Sequence, residues 1–468
     1  QAPELDVEAS HGARPPFPRY GNRYNRAMRT DPPYLHYTPS RPRRIAVVTM
    51  GLKLGDEVRG YTRFRFLSEL LVAEGFEVDL VTSSFQHWDK AQRDCSRACY
   101  RDLPYQVRFI HEPGYKRNLD LARIRSHRIA AKGVRAFFAE RFAEDPRAYD
   151  LVYAEIPPND VARACAEAAQ AHGIPFVADI NDLWPEAMRM APDVPLLSDI
   201  AFAPFARDAA RVYELLDAAV GTSDEYAARP SADRQRPYQR LTVYVGNDLA
   251  AFDAGAQRHE GAVAKPAGEL WVAYAGTLGA SYDLATLIEA ARLLQERDLP
   301  QLRVKMLGDG PDREQLQSLA ERLGAPADFL GYTPYDQMAA WLHRSDILVN
   351  SLVRTAPQSI VTKIGDYLAA GKPMINTGSS PEFRAKVEAD GFGLNVPAED
   401  PKALADALEE LVHNPSRRKM MGAKARAVAE EQFDQPRSYQ AIVDLIRSLT
   451  DQHPTSPDPI PGSEQHHG

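Results

Sequence analysis

The sequence predicts an α/β protein made of two doubly wound, Rossmann-like domains that face each other across a deep interdomain cleft. Three observations carry this. Strand-type runs alternate with helical patterns, and the alternation starts afresh in the second half of the chain. The strand runs, such as RIAVVT at 44–49 and LWVAYAG at 270–276, are continuously apolar and so read as parallel strands covered on both faces. A shift to Ala, Gly and charged residues at 246–268 separates the halves. The 468 residues suffice for two or three domains, and 44% hydrophobic with 26% charged content suits a globular chain. A net charge of -8 argues against a general nucleic-acid binder. No apolar run approaches the roughly 18–20 residues of a membrane span.

Taken in order, 1–42 is an arm rich in Pro, Arg and Tyr. The first domain, 43–245, places strands at 44–49, 78–82, 107–111, 151–154, 176–179 and 218–221, with helices near 63–74 and 118–144. A linker is expected at 246–268. The second domain, 269–434, runs strand 270–276, helix 283–297, strand 302–307, helix 312–323, strand 329–330 and helix 335–343. A helical run at 435–452 follows and is expected to cross back to the first domain. A polar, Pro-rich tail closes the chain at 453–468.

Between lies ILVNSLVRTAPQSIVTKIGDYLAAGKPMINT at 347–377, a strand, a polar loop, a helix and a second strand. Ser359 suits a helix N-cap, Ile360, Ile364, Tyr367 and Leu368 make an apolar face, and Gly371 with Pro373 ends the helix. A helix that opens at a strand's C-terminal end presents free amides to an anion. Lys363 in its first turn suits phosphate and Asp366 suits ribose hydroxyls. The plainer reading is an exposed Lys–Asp pair on a surface helix.

Other features are ambiguous in isolation. Arg125, Arg128, Lys132 and Arg135 share one face of the 118–144 helix, with Lys116 and Arg117 before it. This is either a solvated face or a contact for anionic lipid. Cys95, Cys99 and Cys165 are too few for a disulfide framework, and the Cys95–Cys99 spacing is a weak metal signal. His87 and His111 are lone histidines of structural type.

Several motifs together resemble the retaining GT-B glycosyltransferases of the large family 4 group. They are YAGTLG at 274–279, LGDGP at 307–311, FLGY at 329–332, SDILV at 345–349 and TKIGDYLAAGKP at 362–373, with FGL at 392–394 and DPKALA at 400–405. The first half is similar to a branch that builds bacterial surface polysaccharides, through TSSFQHWDK at 82–90, GYKR at 114–117, DINDLWPE at 179–186 and YVGND at 244–248.

The resemblance implies transfer of a sugar from a nucleotide-sugar, a UDP-sugar in the first instance, to a glycan or lipid-linked acceptor. It implies retention of anomeric configuration, no cofactor and no metal, in surface polysaccharide or glycolipid synthesis. The place implied is cytoplasmic, peripheral at the inner face of the plasma membrane. The donor would meet Gly276, Gly279, Gly308, Asp309, Gly331 and Tyr332, then Ser359, Ile360, Val361, Thr362 and Asp366. Tyr332 either stacks on the base or covers the domain edge. Asp182, Lys363 and Gln358 would be catalytic, with Asp182 read alternatively as a helix cap. Gly60, Arg63 and Asn181 would face the acceptor, and Glu186 is a weaker candidate. The family often has an Arg and a Lys after the first strand of the donor domain, where this chain has Thr277 and Tyr282, and a Glu where it has Gln358. Arg354 or Lys372 would then assist Lys363. Two other readings share the scaffold: a catalytically silent sugar-nucleotide-binding subunit, and a sugar-nucleotide 2-epimerase.

Overall fold

The structure is a computed structural model that describes residues 41–57, 62–117, 120–186, 195–234, 236–297, 299, 301–356 and 360–452. From Pro42 onward these belong to one compact unit. Residues 1–40 of the N-terminal arm, the tail at 453–468, Gly60, Gln358 and Ser359 lie outside the described residues.

The first lobe contains β1 (Arg44–Val48), α1 (Arg63–Ala73), β2 (Glu77–Ser83), the hairpin β3 (Phe85–Gln86) and β4 (Ala91–Gln92), β5 (Gln106–Ile110) and α2 (Leu121–Glu144). It continues through β6 (Leu151–Ile156), α3 (Asn159–Ala171), β7 (Phe176–Ile180), α4 (Pro195–Leu215), β8 (Ala218–Gly221), α5 (Asp224–Ala228) and β9 (Gln239–Thr242). Its seven strands pair in the order β5-β2-β1-β6-β7-β8-β9, all parallel.

The second lobe contains α6 (Leu249–His259), β10 (Leu270–Ala275), α7 (Leu284–Glu296), β11 (Leu302–Leu307), α8 (Arg313–Leu323), β12 (Ala327–Gly331), α9 (Tyr335–Arg344) and β13 (Ile347–Asn350). Then come α10 (Ile364–Ala369), β14 (Met374–Asn376), α11 (Pro381–Asp390), β15 (Gly393–Asn395), α12 (Pro401–His413) and α13 (Pro415–Val428). The parallel order is β12-β11-β10-β13-β14-β15. Two terminal helices follow, α14 (Gln435–Ser438) and α15 (Gln440–Gln452).

The continuous apolar runs have the physical cause expected of them. In β1, Ile45 and Val47 enter one core with Phe64 and Leu67 of α1, while Ala46 and Val48 enter another with Val134 of α2 and Val161 of α3. In β10, Val272 and Tyr274 face α7, and Ala273 and Ala275 face α6 and α9. Successive side chains point to opposite faces, so helices on both sides demand an unbroken apolar strand. Each sheet reverses direction beside its first strand, between β1 and β6 and between β10 and β13. Open parallel sheets leave a crevice at such points.

Two segments differ from the expectation. The stretch at 246–268 is mostly the helix α6, with Leu249, Phe252 and Ala256 buried against the second sheet. Three apolar residues spaced three and four apart fix that face, but polar and small neighbours hide them in the average composition. The helix expected from Ser359 starts later: α10 opens after Lys363, its N-cap, and is six residues long. At the C-terminus, Ile442, Val443 and Ile446 of α15 share a core with Ile45 and Val47 of β1. Among the described residues no helix is long and apolar enough to cross a membrane.

Candidate functional site

The C-terminal ends of β10, β11 and β12 stack backbone on backbone. Gly308 has φ +131°, and a Cβ there would lie 1.8 Å from the Gly276 carbonyl oxygen. Its amide donates to the Gly331 carbonyl at 2.7 Å. Gly276 has φ +149°, a backbone conformation that strains any other residue, and a Cβ there would stand 2.7 Å from Lys363 Nζ, which would have to move aside. These glycines bring strand ends close enough for one ligand to touch all three. Gly279 is different: a Cβ there meets only ordinary contacts at 3.6 Å or more, so nothing steric requires glycine.

Lys363 reaches into this stack. Its Nζ is buried, with no hydrogen-bond partner among the described residues. It lies 3.9 Å from the ring centroids of both Tyr274 and Tyr282. Burial pushes its pKa well below the ordinary lysine value. A buried cation without a counter-ion is costly, and an arriving anion removes that cost. Of the two proposed assistants, Arg354 is turned to Glu399 and Ala398 in solvent. Lys372 lies near Asp346, just before β13, whereas Lys363 follows the far end of that strand. Neither set of contacts draws its side chain towards Lys363 Nζ.

Asp366 Oδ1 accepts from Asn247 Nδ2 and from Tyr335 Oη, both at 2.8 Å. Burial raises its pKa to about 6. Tyr335 begins α9 just beyond Gly331, so the carboxylate sits between the β12 loop and the passage joining the lobes. Tyr332 is 59% exposed. Asp309 pairs with Arg313 at 3.2 Å, and Arg313 also approaches Gly331. No motif marked Arg313 or Tyr335, because each acts from the first turn of an ordinary amphipathic helix.

Across from this wall a cavity of about 230 Å³ opens at the C-terminal ends of β1, β6, β7 and β8. Met50, Glu155, Asn181, Asp182 and Thr222 line its floor, and Ile360 and Thr362 enter from the second lobe. Val361 packs with Ile360 against the second core. Asp182 Oδ1 accepts from the Leu183 amide at 2.9 Å and Oδ2 from Trp184 Nε1 at 3.2 Å. It caps no described helix. Burial raises its pKa, as it does for Glu112. Asn181 Nδ2 donates to Asp179.

Sequence reasoning missed Glu155, the ionisable group at the end of β6. It is hydrogen-bonded to Thr49 Oγ1 at 2.5 Å and pushed up to about 8 by burial. Its apolar context, LVYAEI, gave it the look of a strand residue. The aromatic wall was also missed: Phe85, Trp88, Tyr115 and Trp184 surround the cavity, with Arg123 4.6 Å above the Trp184 ring. His87 lines it too, its Nδ1 2.6 Å from Tyr115 Oη, and burial lowers its pKa to about 4.

Arg63 lines the cavity from the start of α1, but its guanidinium turns inward. It is 1% exposed, and its Nε donates to Asp179 Oδ2 at 2.9 Å. Its Nη1 donates to the Val243 and Tyr244 carbonyls and to Tyr439 Oη. The guanidinium therefore braces the passage between the lobes. Glu186 is held by Arg229 at 2.9 Å. A second carboxylate bridges the lobes: Glu382 of α11 accepts from the Asp224 and Glu225 amides of α5, both at 2.8 Å.

Cys95 and Cys99 do not converge: their thiols contact the Arg93 carbonyl and Asp56 respectively. Among the described residues no cluster of three or more His, Cys, Asp or Glu could hold a metal ion. On α2, Arg125, Arg128, Lys132 and Arg135 are all exposed, and Leu121 at its start is 81% exposed.

Comparison with known proteins bears on the fold and on the second lobe. Residues 256–428 match the family described as Glycosyl transferases group 1. EpsD of Bacillus subtilis (strain 168), a glycosyltransferase by name, is 28% identical over 179 residues, which is 38% of this chain and 45% of that protein. The chain thus spans less than half the length of this curated relative. Sucrose-phosphate synthase from Thermosynechococcus elongatus superposes with a TM-score of 0.65 at 18% identity, covering 88% of this chain and 100% of the other. Anabaena HepE in complex with UDP gives 0.61 at 16%, covering 87% and 100%. The second lobe is thus similar to a group 1 glycosyl transferase domain, in a chain with the two-lobed GT-B fold.

Proposed function

We propose that this protein transfers a sugar from a nucleotide-sugar to an acceptor held in the first-lobe cavity. The observation that carries this is the unpaired Lys363 ammonium beside Gly276, in a lobe whose Ile360 and Thr362 also form the cavity wall opposite Asp182. The diphosphate would lie against Gly276 and Lys363, the ribose near Asp366 and the base near Gly331 and Tyr332. HepE, a protein of similar fold, is solved with UDP and with UDP-glucose, which supports a UDP-sugar as the first donor to test.

The reaction would break the bond from the anomeric carbon to the diphosphate and form one to the acceptor oxygen. With retention, the acceptor's proton passes to the departing phosphate oxygen on the same face. The protein then has to orient the partners and stabilise the leaving charge, a task suited to Lys363 and backbone amides without a metal. WaaG, a protein of similar fold, is a glycosyltransferase involved in lipopolysaccharide biosynthesis, which supports a surface polysaccharide or glycolipid as product. The exposed basic face of α2, with Leu121 beside it, supports a peripheral position at the cytoplasmic side of an anionic membrane.

Incubation with UDP-, GDP- and dTDP-sugars, with and without a lipid diphosphate acceptor, tests the reading through nucleotide release. Release that is lost in Lys363→Ala and in Asp366→Ala is the expected result. Binding without release would mean a silent subunit, and undiminished release in both variants would remove the site from this place. Flotation with phosphatidylglycerol vesicles, reduced in Arg128→Glu/Lys132→Glu, checks the membrane contact.

A further inference from the structure

Lys363 is enclosed by rings instead of carboxylates. Tyr274 and Tyr282 meet edge to face at 5.7 Å and 65°, and the ammonium lies in the angle between them, 3.9 Å from each centroid. Among the described residues every titratable neighbour is otherwise engaged or neutral. On β10, Tyr274 Oη donates to the Thr277 carbonyl at 2.7 Å. Tyr282 lies on the loop before α7, and burial raises the pKa of both phenols, so they stay uncharged. On α10 itself, Tyr367 Oη accepts from the Ala275 amide, and Asp366 is turned to Asn247 and Tyr335. Gly276 faces Nζ without a side chain: a Cβ there would stand 2.7 Å from it.

We propose that Tyr274 and Tyr282 are positioning residues that hold the Lys363 amino group, in place of a counter-ion, where a nucleoside diphosphate docks, so that docking is accompanied by net uptake of up to one proton. This rests on the donor-site reading above. Ring faces attract a cation less strongly than lost water repels its burial. The empty cage therefore sets the charge in place but leaves its proton loosely held, in the direction that burial gives this lysine. A diphosphate brings negative charge to the open side and raises the lysine's affinity for its proton. The proton comes from solvent to Nζ, and no covalent bond to carbon or phosphorus changes. Affinity is then flat below the lysine's value in the empty site. It falls by up to about tenfold per pH unit until the higher value of the complex is reached, and is flat again above it.

Calorimetric titration of the full chain with UDP, GDP and dTDP, in buffers of differing ionisation heat above neutral pH, counts the protons directly. The nucleotide's own ionisation is common to every variant and cancels in comparison. Wild type should take up more protons than Lys363→Met. Tyr282→Phe should keep that uptake, because the ring face remains. Tyr282→Leu should lose it while still binding, because water then reaches the ammonium and keeps it protonated throughout. Equal proton counts in wild type and Lys363→Met, or unchanged uptake in Tyr282→Leu, overturn the cage's role alone. Absence of binding by all three nucleotides overturns the donor site and the cage together.

Discussion

The two walls of the site are built in opposite ways. The second-lobe wall is mainly backbone: three strand-end glycines in contact, one lysine and one aspartate from a short helix. The first-lobe wall is mainly side chain, with Glu155 from β6, Trp88 from the β3–β4 turn, and Asp182 and Trp184 from the loop after β7 around one cavity. Beneath it lies a buried network in which Arg63 and Tyr153 both bond Asp179. A wall of backbone tolerates few residues at few positions and leaves a motif. A wall of converging side chains can be made many ways and leaves little trace in any one segment.

The contrast can be broken most forcefully at Arg63. Arg63→Ala leaves Asp179 buried without its cation, and loss of one partner from such a pair costs about 3–5 kcal/mol. Urea denaturation should show the loss, and an unaltered midpoint would mean that the first-lobe wall does not rest on this network. The next effect is at Glu155. Its carboxyl keeps its proton in the native state up to about 8, whereas its ordinary value is 4.5. Stability should therefore fall as pH rises from about 4.5 towards about 8, by at most about 1.4 kcal/mol per pH unit. Glu155→Gln should remove that slope, and parallel stability–pH curves for the two proteins would exclude it. The smallest effect is expected on the opposite wall. Asp309→Ala removes an exposed pair with Arg313, and its thermal stability should stay within about 0.5 kcal/mol of wild type. A larger loss would show that this wall too depends on its side chains.

Legibility followed the same division. The α/β class and both strand–helix alternations were visible because an apolar run between two helix layers has no other economical explanation. The glycine turns and TKIGDYLAAGKP were visible because close backbone approach restricts residue choice. Gly279 shows the limit of that inference, since a glycine in a motif is not always a steric necessity. Arg63 shows another. Its position at the start of α1 was correctly adjacent to the cavity, but its direction, inward to Asp179, depends on β7 and the 243–245 passage, remote in sequence. The helix around 360 began later than a capping serine suggested, because local capping preference does not decide where tertiary contacts let helical geometry start.

The sequence by itself determined two parallel sheets with helices on both faces, and a second-lobe motif placed at strand ends. Periodicity and backbone sterics are local, so they are written residue by residue. Only the tertiary structure decided that Lys363 stands between Tyr274 and Tyr282, that Glu155 joins Asp182 on one cavity floor, and that Glu382 of one lobe holds the α5 amides of the other. Those outcomes depend on which distant side chains share one desolvated space, and burial and charge act through that space rather than along the chain.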